Sequence, residues 1–377
     1  MDDWVGSGAE EIAARAEREL EALVGVSSPS GDVRGAEECT AICAALAPGD
    51  AATERLPCSS PGHAPDLLLR VTGTGARRLL LLGHVDTVIG HEHHKPLARD
   101  GEKLLGSGTV DMKGGVVLAL GVLRALATRR DAFAEVALLL VCDEEWRTAP
   151  FAHTERFAGW DACLCFEAGE LTPEGAEGVV VRRKAAGTIE VQAHGRAAHS
   201  GSAPDRGRNA LLALAAAAQA VAACHDPAGP SRLTAVPTVL NSGTAFNVVP
   251  GRGALFCDLR ADDDDAILGV LDAVPRDVGG VRLEPVLTRL WPGMDAEAAT
   301  GGLLHDAASA LGRPVLGVRR GGASDASHIA KAIPLTVDGL GPRGGKAHNP
   351  GEYVLADSLL SRAQVALALA GAALRSR

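Results

Sequence analysis

The chain has 377 residues, 46% of them apolar, and a formal net charge of −10. That length is large for one hydrophobic core, so two folded domains are expected. The acid excess excludes nucleic-acid backbones and anionic membranes, which repel a negative surface, and leaves small molecules and other proteins as partners.

The N-terminus, MDDWVGSGAEEIAARAEREL, has acids where a secretory signal has a basic segment. No stretch is apolar over the ~18 residues that a membrane-spanning helix needs. A cytoplasmic location is expected. The cysteines (Cys39, Cys43, Cys58, Cys142, Cys163, Cys165, Cys224, Cys257) form no CxxC pair, and several fall in apolar runs, which reads as buried thiols rather than disulfides or zinc ligands.

In chain order, periodicity predicts an amphipathic helix over residues 9–24, a turn at SSPSGD (27–32) and a second helix to about Leu46. Short apolar strands are predicted at 67–71, 79–82, 136–141 and 163–166, with a helix at 114–127. Strands this apolar are buried on both faces, so a sheet covered by helices is expected. From about Lys184 the pattern changes to strand 187–193, helix 209–224, strands 232–240 and 253–260, helix 262–273 and strand 281–287. That βαββαβ order is ferredoxin-like. After Pro292 come helices at 303–311 and 324–329 and a strand at 334–337. The expected class is α/β: a discontinuous catalytic domain (1–183 and 292–377) with a helix-covered mixed sheet, plus an inserted ferredoxin-like α+β domain (184–291).

Five segments carry the chemistry: GHVDTV (83–88), GTVDMKGG (108–115), CDEEW (142–146), CFEAGE (165–170) and KAHNPGEY (346–353). Most candidates sit where a predicted strand ends, the place where open α/β sheets present ligands. In HVD, strand alternation sends His84 and Asp86 to one side, so Asp86 can orient a metal-binding His84; an ordinary strand-end pair reads equally well. Asp111, between glycines, can bridge two metals, or it can cap the following helix. Glu144 and Glu145 end a buried strand, where two adjacent acids are costly unless a metal or a proton compensates them. Glu145 is assigned to metal and Glu144 to the general base, against the alternative of a solvated loop pair. With Glu167 and His348 the set supplies each of two metals with one imidazole and one carboxylate, Asp111 being shared. Zinc suits these donors, and cobalt or manganese fits them nearly as well.

These segments, their order, the insertion after the fourth and the loop GGASDAS (321–327) resemble the dinuclear-zinc metallopeptidase family. That family includes the glutamate carboxypeptidases, acetylornithine deacetylase, succinyl-diaminopimelate desuccinylase and the aminoacylases. The resemblance runs from about Ile12 to the C-terminal helix. It implies His84, Asp111 and Glu167 on one metal, Asp111, Glu145 and His348 on the other, and Glu144 as base. It also implies that the inserted domain is a lid through which two copies pair. His199 in GRAAHSG would stabilise the tetrahedral intermediate, and Asn247, Arg260, Gly322 and Ser324 would contact substrate.

The implied activity is hydrolysis of an amide in a short peptide or N-acyl amino acid with a free carboxylate. A biosynthetic deacylase or aminoacylase is the alternative, and a non-catalytic binding protein on the same fold is a third reading. Two departures bear on substrate choice: WRTAPF (146–151) replaces a glycine- and serine-rich turn, and Trp291 precedes Pro292 where glutamate-cleaving members place an arginine, the alternatives being that Arg289 substitutes or that the bulky ring reshapes the pocket. TGTG (72–75) reads as a turn and the His91, His93, His94 tract as an exposed loop.

Overall fold

The leucine-rich runs pair side by side because each is apolar on both faces and is shielded only inside a covered sheet. The computed structural model describes residues 1–375; positions 376 and 377, the end of the 292–377 segment, lie outside the described residues. Along the chain come α1 (Asp3–Val24), α2 (Val33–Leu46), β1 (Ala52–Leu56), β2 (Asp66–Thr72), β3 (Arg78–His84), α3 (Gly114–Ala127), β4 (Glu135–Val141), β5 (Ala162–Cys165) and β6 (Glu177–Arg183). Next are β7 (Ala185–His194), α4 (Ala210–Ala223), β8 (Thr234–Ser242), β9 (Arg252–Ala261), α5 (Asp264–Ala273) and β10 (Val281–Trp291). The chain closes with α6 (Glu297–Leu311), β11 (Val315–Arg320), α7 (Asp325–Ile329), β12 (Thr336–Val337) and α8 (Ala356–Arg375).

The chain divides into two compact units. The first holds Met1–Arg182, Asp295–Arg319 and the residues from Ser324 onward. Its main sheet has the order β1-β2-β4-β3-β5-β12. β3, β4, β5 and β12 run parallel, while β2 is antiparallel to β1 and β4, so the sheet is mixed. Leu79, Leu81, Leu138 and Leu140 join α1, α3 and α8 in one buried core. The alternate residues Leu80, Leu82 and Leu139 are equally buried, as a sheet covered on both faces requires.

The second unit, Arg183–Met294 with Arg320–Ala323, folds as β7-α4-β8-β9-α5-β10. Its strands lie in the order β8-β9-β7-β10, antiparallel throughout, which is the ferredoxin-like arrangement. Leu214 of α4 and Ile267 of α5 share its core with Ile189, Val191 and Leu255.

Several elements differ from the sequence reading. α1 begins at Asp3 rather than residue 9, because Asp2 caps it by accepting the Trp4 N–H, while Gly6 and Gly8 dilute the helical pattern. β1 was not anticipated: only Leu56 is buried in that edge strand, so it carries no apolar run. α6 starts six residues early, its first turns hidden by Gly301 and Gly302. All eight cysteines are unpaired, six of them buried. No helix among the described residues is long and apolar enough to cross a membrane.

Candidate metal centre

Three parallel strands deliver the first acids and the first histidine to one edge of the sheet. His84 ends β3 and pairs in register with Val141, the last residue of β4. Cys142 to Glu145 follow directly. β5 ends at Cys165 opposite Leu82, and the Phe166 N–H donates to the Leu82 carbonyl at 3.0 Å, so Glu167 emerges beside them.

Asp111 reaches this edge from a π-helical turn, Thr109–Lys113, ahead of α3. Its φ of −132° and ψ of 92° are non-helical, and its side chain caps nothing in α3, so the helix-cap reading gives way. One carboxylate oxygen lies 3.2 Å from His84 Nε2 and the other 3.0 Å from His348 Nε2. A carboxylate set between two imidazoles is the arrangement a bridging ligand needs. His348 Nε2 is also 3.3 Å from a Glu145 oxygen, and His84 Nε2 is 3.7 Å from Glu167. His348 sits in the left-handed region at φ 63°, as does Lys346 at φ 60°, a backbone cost that functional loops commonly carry.

The donor set fits divalent ions. Ligand atoms of His84, Asp111 and Glu145 lie within 4.8 Å of one another. Glu145 Oε1 is buried and has no hydrogen-bond partner, which a carboxylate tolerates poorly without a cation. Protonation follows the same field. Burial pulls His84 down, but hydrogen bonds to Asp111 and Asp86 outweigh it and raise its pKa well above the ordinary value. Asp111 and Glu145 beside His348 raise its pKa to about 10. Burial would raise Asp111, yet the two histidines hold it low. The surrounding carboxylates thus favour the charged form of both imidazoles, a role that a metal would take over.

Asp86 serves three residues. His84 Nδ1 lies 3.0 Å from its carbonyl oxygen and 3.3 Å from its carboxylate, which leaves Nε2 aimed at Asp111. The same carboxylate accepts the backbone N–H groups of Glu144 at 3.2 Å and Glu145 at 3.1 Å. The Glu144 carboxylate is only partly buried and makes no hydrogen bond. Burial, with Glu167, Asp325 and Glu145 nearby, pushes its pKa well above the ordinary value against the pull of His84. An unengaged carboxylate of raised basicity suits proton transfer.

One residue of the site went unread in the sequence. Glu352, buried at 2% exposure, accepts the N–H groups of Gly108 at 2.8 Å, Val110 at 2.7 Å and Asp111 at 2.9 Å. It thereby ties the segment after His348 to the turn carrying Asp111. Burial raises its pKa to about 7 even so. The signal available was an acid four residues after the histidine, in KAHNPGEY.

In the second unit, His199 pairs with Val248 and the Ser200 N–H donates to the Asn247 carbonyl at 3.0 Å, so His199 and Asn247 are neighbours. His199 Nδ1 accepts the N–H groups of Gly201 and Ser202, both at 3.1 Å, which leaves the proton on Nε2 as an outward donor. Arg260 is not brought to them: it lies near the other end of β9 and pairs with Asp258 at 3.1 Å. The Gly322 carbonyl accepts Arg183 at 2.8 Å. In the first unit, the buried Ser324 hydroxyl donates to Asp338 at 2.6 Å. Trp291 is buried at the end of β10 under Arg289, 5.2 Å from its ring. His91 and His93 are exposed as expected, His94 is instead half-buried with its Nε2 covered, and all three stand outside the ligand cluster.

The profile described as peptidase family M20/M25/M40 matches residues 80–372. Carboxypeptidase G2 of Pseudomonas sp. strain RS-16 is 29% identical over 303 residues, spanning 76% of this chain and 71% of its own. Succinyl-diaminopimelate desuccinylase of Methylorubrum extorquens strain PA1 is 27% identical over 336 residues, spanning 76% and 81%. Among solved structures, the YXEP protein of Bacillus subtilis, described as a dinuclear metal binding peptidase of the M20 family, superposes with a TM-score of 0.72. It is 15% identical, over 98% of this chain and 100% of that one.

Proposed function

Because the chain belongs to peptidase family M20/M25/M40, we propose that it is a metal-dependent hydrolase of carboxypeptidase type. It cleaves the amide of a short peptide or N-acyl amino acid bearing a free carboxylate. The observation that carries this reading is Asp111 set between His84 and His348, with Glu145 and Glu167 beside those histidines and Glu144 unengaged.

His84 and Glu167 would hold one ion, Glu145 and His348 the other, and Asp111 would serve both. Zinc is the metal these donors favour, with cobalt and manganese as alternatives. Two bound ions would supply Lewis acidity, for the scissile carbonyl and for the acidity of the attacking water. Glu144 takes the proton as water adds to the carbonyl carbon and returns it to the nitrogen as the C–N bond breaks, releasing an acid and an amine. His199 donates its Nε2 proton as a hydrogen bond to the oxyanion. Asn247, Arg260, Gly322 and Ser324 are assigned to substrate contact.

The deacylase reading has its own support in the similarity to a succinyl-diaminopimelate desuccinylase. A homodimer formed through the inserted unit is supported by exposed Val236, Val239 and Leu240 on the edge strand β8. A cytoplasmic location accords with eight unpaired cysteines. Elemental analysis, followed by a panel of dipeptides and N-acyl amino acids with free or amidated carboxyl groups, tests the reading. Loss of turnover on amidation supports it, and a metal-free protein that cleaves none of the panel overturns it.

A further inference from the structure

Beneath the Glu144–Glu145 loop lies a buried arginine that the chemistry above does not use. Arg147 donates from Nε and Nη2 to one oxygen of Asp143, at 3.1 and 2.9 Å. On its other edge Nη1 and Nη2 each donate to an oxygen of Asp325, the second at 2.9 Å. The Phe151 ring covers the guanidinium at 4.8 Å and stacks on His328, 5.1 Å away, on the same short helix α7 as Asp325. Asp143 further accepts the Ser60 N–H at 2.9 Å, and the Thr148 N–H donates to the Ser60 hydroxyl at 2.9 Å. Three chain segments are thus locked around residues 143–148.

Burying one cation with two carboxylates is costly, and apolar packing would fill the space at no such penalty. What the fork provides is direction: a planar guanidinium satisfied on both edges fixes its partners more tightly than a point charge can. Glu144 lies between Asp143 and Arg147 in sequence, and its own N–H is held by Asp86. These anchors fix the backbone position and direction from which its unbonded carboxylate projects. The glycine- and serine-rich turn expected after the two glutamates would leave that aim loose, and WRTAPF replaces it.

We propose that Arg147 is a positioning residue, which holds the Glu144 carboxylate in its working direction by locking the 143–148 loop to Asp325 of α7. The inference rests on Glu144 being the base.

The test uses the metal-loaded full chain, with Arg147→Lys, Asp325→Asn and the double variant. Lysine keeps the charge and loses the fork, so folding is preserved where a neutral residue would strand two buried acids. On the panel compound that the wild type cleaves fastest, Arg147→Lys lowers kcat roughly 10–100-fold, with KM within about threefold and metal content unchanged. Asp325→Asn does the same, and the double variant is no worse than the more damaged single. Amide exchange across residues 143–148 speeds up in each variant. Wild-type kcat with wild-type exchange in Arg147→Lys overturns the proposal, as does a loss confined to KM or one that follows metal loss. If the wild type cleaves no panel compound, faster exchange upholds the clamp while the hydrolase reading falls, and unchanged exchange removes both.

Discussion

Glu352 and Asp111 are joined by a 2.9 Å hydrogen bond from the Asp111 N–H to the Glu352 carboxylate, across 241 positions of chain. Two further N–H groups of the same turn converge on that carboxylate. The ligand between the two histidines is thus held by its backbone as well as approached by their rings.

Glu352→Gln replaces two accepting oxygens with one oxygen and an NH2 that faces a donor. The expected cost is ~1–3 kcal/mol of stability, from a buried N–H left unmet. Metal affinity falls ~10–100-fold as the turn loosens. Urea unfolding and chelator competition check the two effects, and wild-type values in both would remove Glu352 from its role.

Asp86→Ala releases the N–H groups of Glu144 and Glu145 and removes the carboxylate beside His84. Metal affinity or turnover is expected to fall ~10–100-fold. Isothermal titration with zinc measures the first. An unaltered affinity and rate would mean that the His84 contact to the Asp86 carbonyl suffices.

Metal uptake is expected to expel protons. In the metal-free protein His348 is raised from 6.5 to about 10, so its protonated form stabilises the fold fully below pH 6.5 and loses that contribution as pH rises through about 10. Ligation needs the neutral ring, so apparent affinity rises with pH across this window. Titrations at pH 7.5 in buffers of different ionisation enthalpy read the proton count. A buffer-independent heat would contradict the expectation.

His199→Ala removes the Nε2 donor from a loop outside the ligand cluster. kcat is expected to fall ~100–1,000-fold with bound metal unchanged. A wild-type kcat would confine His199 to a structural part in its loop.

Strand ends were legible because buried apolar runs stop abruptly at polar residues: His84, Glu144, Glu145 and Glu167 each come at the end of one. Asp111 was harder, since a turn between glycines reads as a cap until a second segment supplies its partners. Glu352 and Arg147 were invisible for a physical reason. Their partners lie up to 244 and 178 positions away, and a carboxylate that binds backbone N–H groups leaves no mark in the identity of those residues. The inserted fold was readable from strand alternation, whereas Arg260 paired with Asp258 could not be foreseen from DLR alone.

Glu144→Gln tests the central claim most directly, because it keeps the shape of the side chain and removes its basicity. Turnover is expected to fall ~100–10,000-fold while metal content stays that of the wild type. Turnover retained at the wild-type rate with full metal content would contradict the assignment of Glu144 as the base.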